Sequence, residues 1–365
     1  MQTIRPFRRL RGAAIHLAAC ASLLLAACGP AETAAAAAPI AWDRTLAAEL
    51  LQLELENGNP PENARAMLEA VLEDAYAASG GDRPPPSTQS EFRDFALKVS
   101  TALAKHNFIQ PVAQAEWVNS LGQAFRPVSP TDPRVTAYLA HAQNAQRRPF
   151  VDPGKPFYFV DCDMAALLIL SVAQMAGFDL SLVHVPSHEF VRWQGPAGSS
   201  ANWDWTNWGS FDEDYYRRRY AVSQAQEHRK VFLTSQRIAA ARGYFIASMS
   251  RNVKDPLRKL NLRRKAAALS ANDPVTASNV AWSFATARNG VTPAERVDAL
   301  PYALTGWAAA PDSAVHMNAV ACALAARREH GLAVALQERA IEEGADSDLE
   351  RYRSELVRLK RKELC

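Results

Sequence analysis

Apolar residues recur at three- and four-residue steps near the start of the chain: Leu46, Leu50, Leu51, Leu53 and Leu55, then Ala64, Met67, Leu68, Val71 and Leu72. This period lays one stripe along a helix, so residues 42–78 are predicted as amphipathic helices. Gly80-Gly81 and Pro84-Pro85-Pro86 break the pattern, and another helix is predicted over Glu91–Lys105. Residues 127–156 are rich in proline and polar side chains, with one helix expected around Val135–Gln146. The pattern then changes in kind. Asp163–Ala176 is apolar nearly all round, which predicts a buried helix that ends at Gly177. Phe178–Val185 alternates as a strand does. Pro186-Ser187 interrupts it, His188–Trp193 reads as a second strand, Gly195–Ser200 as a turn and Asn202–Asn207 as a third strand. A buried helix followed by consecutive antiparallel strands predicts an α+β domain.

From Phe211 the chain becomes helical again. Arg251–Lys265 carries seven basic residues and reads as a solvated helix face, with contact to anionic headgroups or phosphate as the sharper alternative. Between Pro274 and Gly344, Gly290 recurs as Gly331 and Ala299 as Ala340, both at an offset of 41. Asn279-Val280-Ala281-Trp282 with Ala294 and Ala299, and Asn318-Ala319-Val320-Ala321 with Ala333 and Ala340, resemble tetratricopeptide-type helix pairs. The offset is longer than the usual repeat of about 34 residues. Such stacks offer a concave face, so a protein partner is expected there. A terminal helix over Ser347–Lys362 would cap the stack.

Composition narrows the class. With 365 residues, 48% of them hydrophobic, the chain suffices for two or three domains. A net charge of +3 with both signs interspersed gives no reason to expect a nucleic-acid partner. The beginning is distinct: Arg5, Arg8, Arg9 and Arg11 precede an apolar run over Ala13–Ala27, the make-up of a secretory signal. The run is too short to span a membrane, which takes about 20 apolar residues. Leu25-Ala26-Ala27-Cys28 resembles the lipobox of bacterial lipoproteins, which implies acylation of Cys28. Gly29 in place of an aspartate resembles outer-membrane sorting. The expectation is a signal peptide over 1–27, an Ala-rich tether over 28–41 and a bacterial envelope protein anchored by lipid and facing the periplasm. Cys162, Cys322 and Cys365 are then the remaining thiols; a Cys322–Cys365 bridge stays open, and Cys162 is the odd one out.

Cys162 also opens the buried helix. His188 follows 26 residues later and Asp204 another 16 after that. A helix N-terminus favours a thiolate, a histidine can stabilise it and protonate a leaving group, and a carboxylate fixes the imidazole. The first amides of the helix would bind an oxyanion. Alternation puts His188, Phe190 and Arg192 on one face and Asn202, Asp204 and Thr206 on one face. Paired strands would thus aim His188 and Asp204 at the helix of Cys162, with Trp193, Trp203 and Trp205 on the other side. His184 is a rival, but shares its face with Phe178, Leu180 and Leu182. Asp161 and Asp163 oppose ionisation of the thiol, and either would serve as helix cap. The tryptophans read as core and cleft wall.

Asp161-Cys162-Asp163 with its helix, His188-Glu189-Phe190-Val191-Arg192-Trp193 and Trp203-Asp204-Trp205-Thr206 resemble the transglutaminase-like (transglutaminase-core) superfamily over roughly Pro127 to Tyr220. The resemblance implies a papain-like α+β domain over 127–250, with a helical region over 42–126 before it and the tetratricopeptide-like region over 251–365 after it. It implies Cys162 as nucleophile, His188 as acid–base and Asp204 as orienting carboxylate, acting on a peptide or isopeptide bond of a peptide or protein substrate. No metal or organic cofactor is implied. Gln143 and Gln146 are candidates to complete the oxyanion hole. The superfamily also has members that resemble it in fold and bind without cutting, so a non-catalytic scaffold for envelope partners is the alternative.

Overall fold

The computed structural model describes residues 38–58, 60–110, 118–186, 188–220, 222–270, 273–286, 291–344 and 346–365. The signal segment, Cys28, the tether as far as residue 37, Ser187 and Gly290 lie outside the described residues. Three helices come first: α1 (Leu46–Asn57), α2 (Ala64–Ser79) and α3 (Gln89–Lys105). Their apolar stripes face inward as the period predicts, with Leu46, Leu50, Leu68, Val71, Phe92 and Val99 buried. Thr88 and Glu91 close a reciprocal cap at the start of α3. A short parallel pair follows, β1 (Phe108–Ile109) with β2 (Tyr158–Phe159), and between them lie α4 (Leu121–Ala124) and α5 (Pro133–Ala140). The helix expected around Val135–Gln146 thus stops at Ala140, and single 3₁₀ turns complete the segment.

The central helix α6 spans Cys162–Met175, and twelve of its fourteen residues are buried. Met164, Leu167, Leu168, Ile169, Leu170 and Val172 project in all directions around the axis, so neighbours must cover every side. It ends as predicted: Gly177 takes φ 76°, the left-handed conformation that glycine adopts without strain. Then come β3 (Leu180–Val185), β4 (His188–Gln194) and β5 (Ser200–Trp203). They form an antiparallel sheet completed by β6 (Ser235–Gln236) in the order β5-β4-β3-β6. The tight turn at Pro186 sets the register, pairing Val185 with His188 and His184 with Glu189.

The two faces of this sheet differ from expectation. Leu180, Leu182, Val191, Trp193, Trp203 and Trp205 pack in the same cluster as α6. Val183, Val185 and Phe190 pack on the opposite face with Tyr216. The tryptophans therefore face the central helix, whereas the sequence reading put them away from it. Area decides this: an indole buries more apolar surface than a histidine or a carboxylate, and an all-apolar helix is covered best by the larger side chains. β5 also ends at Trp203, and Asp204 bridges to Gly209 across a tight turn in place of an extended strand to Asn207.

The helices α7 (Glu213–Arg219) and α8 (Gln224–His228) precede β6; α9 (Ile238–Met249) and α10 (Pro256–Leu269) follow it. The basic run was expected as a solvated face, yet Arg263 and Lys259 are buried. The Arg263 guanidinium donates to the Ser283 carbonyl at 3.0 Å, Arg258 to the Glu56 carbonyl at 2.8 Å and Arg251 to Asn119 at 3.0 Å. These cations tie helices together. The chain ends in α11 (Pro274–Ala285), α12 (Pro293–Val297), α13 (Ala299–Ala309), α14 (Ala314–Ala326), α15 (His330–Glu343) and α16 (Asp346–Lys360).

Inside α14–α16, the Asn318 side-chain amide donates to Gln337 at 3.1 Å and also to Glu355, a buried polar core with its partners in place. Cys322 and Cys365 form a disulfide. The bridge closes a 43-residue separation and pins the last residue onto α14. Reduction is expected to destabilise this region by about 2–4 kcal/mol, because the loop entropy of the unfolded chain is restored. Hydrogen exchange with and without reductant checks this: amides of α14–α16 should exchange faster on reduction and those of α6 should not.

Candidate active site

Asp161 caps α6 in extended conformation and its side chain accepts from the Met164 amide at 3.3 Å, the capping role expected of one of the two flanking aspartates. Cys162 is then the first helical residue, half-buried, with no disulfide partner. Asp163 is buried, and it too accepts from the Met164 amide, at 2.8 Å. Burial raises the Asp161 carboxyl, and burial plus the Asp161 charge raises Asp163 well above the usual range. Both acids are held toward their neutral forms, which fits a site poor in water.

On β4, His188 Nε2 donates to Asp204 Oδ2 at 2.8 Å, with His188 only 4% exposed and Asp204 not at all. Asp204 also accepts from the Asn207 amide at 2.9 Å and from the Asn207 side chain at 2.7 Å. Burial works to raise Asp204, yet the charge and hydrogen bond of His188 and the two Asn207 donors bring it below the free value. Burial works to lower His188, yet the Asp204 charge and hydrogen bond lift it above the free value. The Tyr220 ring stacks on the imidazole with centroids 4.8 Å apart and planes 7° apart. Burial, the Asp204 charge and, more weakly, the Cys162 sulfur all raise the Tyr220 hydroxyl, so this ring lies near both halves of the site.

The turn that carries Asp204 is clamped from outside. Arg147, 2% exposed, donates to the Trp205 carbonyl at 2.7 Å and to that of Thr206. Its guanidinium lies 4.9 Å over the Trp205 ring and 5.3 Å from that of Trp208. Trp208 sits at φ 53°, a left-handed conformation uncommon for a bulky side chain, and the surrounding contacts hold it there. Gln146 is exposed in the turn before Arg147; the side chain of Gln143 lies outside the described residues.

The thiol has a different partner from the imidazole. Cys162 Sγ donates to Glu189 Oε2 at 3.0 Å. Glu189 Oε1 accepts from Tyr244 at 2.8 Å and makes a long contact with His184 Nδ1 at 3.4 Å, and the His184 and Tyr244 rings lie 4.4 Å apart. Burial works to raise Glu189, yet the His184, Cys162 and Tyr244 hydrogen bonds bring it down to about 2. Burial pushes the Cys162 thiol well above its ordinary value, and the charges of Glu189, Asp161 and Asp163 push it the same way. Burial works to lower His184, but Glu189 and Asp273 hold it above the free value.

Of the three residues expected to form a relay, His188 and Asp204 are brought together. Among the described residues, Cys162 hydrogen-bonds Glu189 and not His188. Sequence reasoning missed Glu189, Tyr244, Tyr220, Asn207 and Arg147. Glu189 carried a signal: a tight turn at Pro186 places it opposite His184, and its parity puts it on the helix side of the sheet. Among the described residues, no cluster of three or more His, Cys, Asp or Glu side chains has the arrangement of a metal site, and no helix is long and apolar enough to cross a membrane.

The paired His188 should titrate above the free-imidazole value of about 6.5. A raised histidine contributes stability that is complete below the unfolded value and is lost as pH rises through the folded one. A lowered Asp204 contributes stability present above its unfolded value and lost as pH falls through the folded one. Asp204→Asn should therefore move the His188 titration down, since burial is then opposed only by the weaker charge of Glu189. Imidazole NMR shifts against pH read this directly, and an unchanged midpoint would contradict the pairing. The sequence matches no protein-family model and no curated protein, so the residues themselves carry the functional reading.

Proposed function

We propose that this is an envelope lipoprotein whose transglutaminase-like domain is a thiol hydrolase or acyltransferase. The observation that carries the reading is the buried His188–Asp204 pair, whose histidine stands on β4 next to Glu189, the partner of a thiol at the first residue of a buried helix. A histidine and an aspartate buried together without solvent require a reason, because each desolvated charge opposes folding. Acid–base chemistry is such a reason. Cys162 Sγ attacks the carbonyl carbon of an amide and the C–N bond breaks. His188, oriented by Asp204, passes the thiol proton to the leaving amine. The first amides of α6 and its dipole favour the oxyanion of the tetrahedral intermediate. Water or an amine then resolves the thioester. Hydrolysis of a peptide or isopeptide bond is favoured over cross-linking, because water is the default acceptor. No metal or organic cofactor takes part in this scheme.

The lipobox-like Leu25-Ala26-Ala27-Cys28 supports anchoring by lipid, and Gly29 supports an outer-membrane location facing the periplasm. The Cys322–Cys365 disulfide supports an oxidising compartment. The helices after residue 251 would offer a face to a protein partner.

A second reading is favoured by one observation, the hydrogen bond of the thiol to Glu189 with acids on either side of it. A thiol kept neutral suits a scaffold that binds envelope partners without turnover. An acyl-transfer probe separates the two. With p-nitrophenyl acetate, the catalytic reading expects release of about one equivalent of nitrophenolate, an acetyl group on Cys162 by mass spectrometry, and a loss of about 10²–10⁴-fold in rate in His188→Ala. Acetylation of Cys162 at the same rate with and without His188 would leave the scaffold.

A further inference from the structure

The contact between Cys162 and Glu189 is held from three elements. Glu189 is the second residue of β4, His184 faces it from β3 and Tyr244 reaches it from α9. Both donors engage Oε1, which leaves Oε2 aimed at the Cys162 sulfur. His184 is 1% exposed and Tyr244 is 6% exposed, so the carboxylate has little freedom to turn away. Asp161 and Asp163 flank the sulfur from α6, Asp273 acts on His184, and Arg251 acts on Asp163. Glu189 and His188 are neighbours on one strand, so their side chains leave it toward opposite faces. A sulfur that hydrogen-bonds Glu189 is thereby turned from the ring nitrogen of His188 that Asp204 leaves free.

Glu189 is also the wrong group to act as base. Its three donors make it a weak one, brought down to about 2, while burial and the neighbouring acids make the thiol a reluctant acid. Proton transfer from sulfur to this carboxylate is therefore strongly uphill, and the S–H bond stays intact.

We propose that Glu189 is a latch on the nucleophile: it holds Cys162 as the neutral thiol, away from His188, until an acyl substrate occupying the site releases it. The proposal rests on the reading of Cys162 as nucleophile and adds a resting state to it. Release is a rotation about the Cα–Cβ bond of Cys162 into another staggered well. The S–H bond then breaks, its proton passes to the free ring nitrogen of neutral His188, and the sulfur lone pair forms the bond to the acyl carbon. Glu189 keeps its charge and its bonds to Tyr244 and His184 throughout. Glu189 is a positioning residue here, since it acts through Cys162.

Alkylation of the full chain by iodoacetamide at neutral pH, followed on the Cys162 peptide by mass spectrometry, tests the latch. Glu189→Gln removes the charge beside the sulfur and is expected to label at least about tenfold faster, the change that one pKa unit makes in thiolate fraction. Glu189→Asp keeps the charge and the partner of His184 but draws the carboxylate back, and it should also label faster. Wild-type rates in both variants would overturn the latch, and slower labelling would do so too by making Glu189 the base. The acetyl-transfer probe keeps the two claims apart. Faster labelling of Glu189→Gln with no His188-dependent acetylation in any variant would support the latch and sink the relay. His188-dependent acetylation with unchanged labelling would do the reverse.

Discussion

Burying α6 on every side places its first turn in the interior as well, and that turn carries Cys162 between two aspartates. Each large apolar side chain of the helix contributes roughly 1.5–3 kcal/mol by leaving water. Those contributions are what draw β3, β4, α1, α2 and α3 around it. The polar groups at its start have no choice but to find partners in the space that remains. Asp161 turns onto the Met164 amide, burial raises the Asp163 carboxyl, and the thiol finds Glu189. The chemistry of the site is thus set by the packing of an apolar rod.

Two polar clusters result, one on either face of β4. His188, Asp204, Asn207 and Tyr220 form the first, with Arg147 fixing the backbone of the Asp204 turn. Glu189, His184 and Tyr244 form the second, and it is the second that holds the thiol. Opposite-charge partners bring His188 and His184 above the ordinary range despite burial, which lowers both. The thiol of Cys162 is hydrogen-bonded to the second cluster, and the proposed latch is its release toward the first.

Much of this was legible in the chain and some was not. The period of α1–α3, the all-apolar run of α6 and its stop at Gly177 follow from spacing alone, because burial leaves few other residues at those positions. Cys162, His188 and Asp204 were found by chemistry and order. The faces of the sheet were misread, because alternation shows which residues share a side and not which side meets the helix. Weighing the area of Trp193, Trp203 and Trp205 against that of His188 would have settled it. The hairpin register, fixed by Pro186, already paired His184 with Glu189. Tyr244, Tyr220 and Arg147 reach the site through long-range packing that leaves no local pattern. The burial of Arg263 and Lys259 was hidden for the same reason, since a basic run looks alike whether it meets water or carbonyl groups.

The central claim is that the resting thiol is neutral. Ultraviolet absorbance of the thiolate against pH, as the difference between the wild-type chain and Cys162→Ala, measures this directly. The structure predicts no thiolate from Cys162 below pH 9, where burial, Glu189 and the two aspartates all favour the protonated form. A thiolate present at neutral pH and lost in His188→Ala would contradict it, because the sulfur would then already be paired with the imidazole.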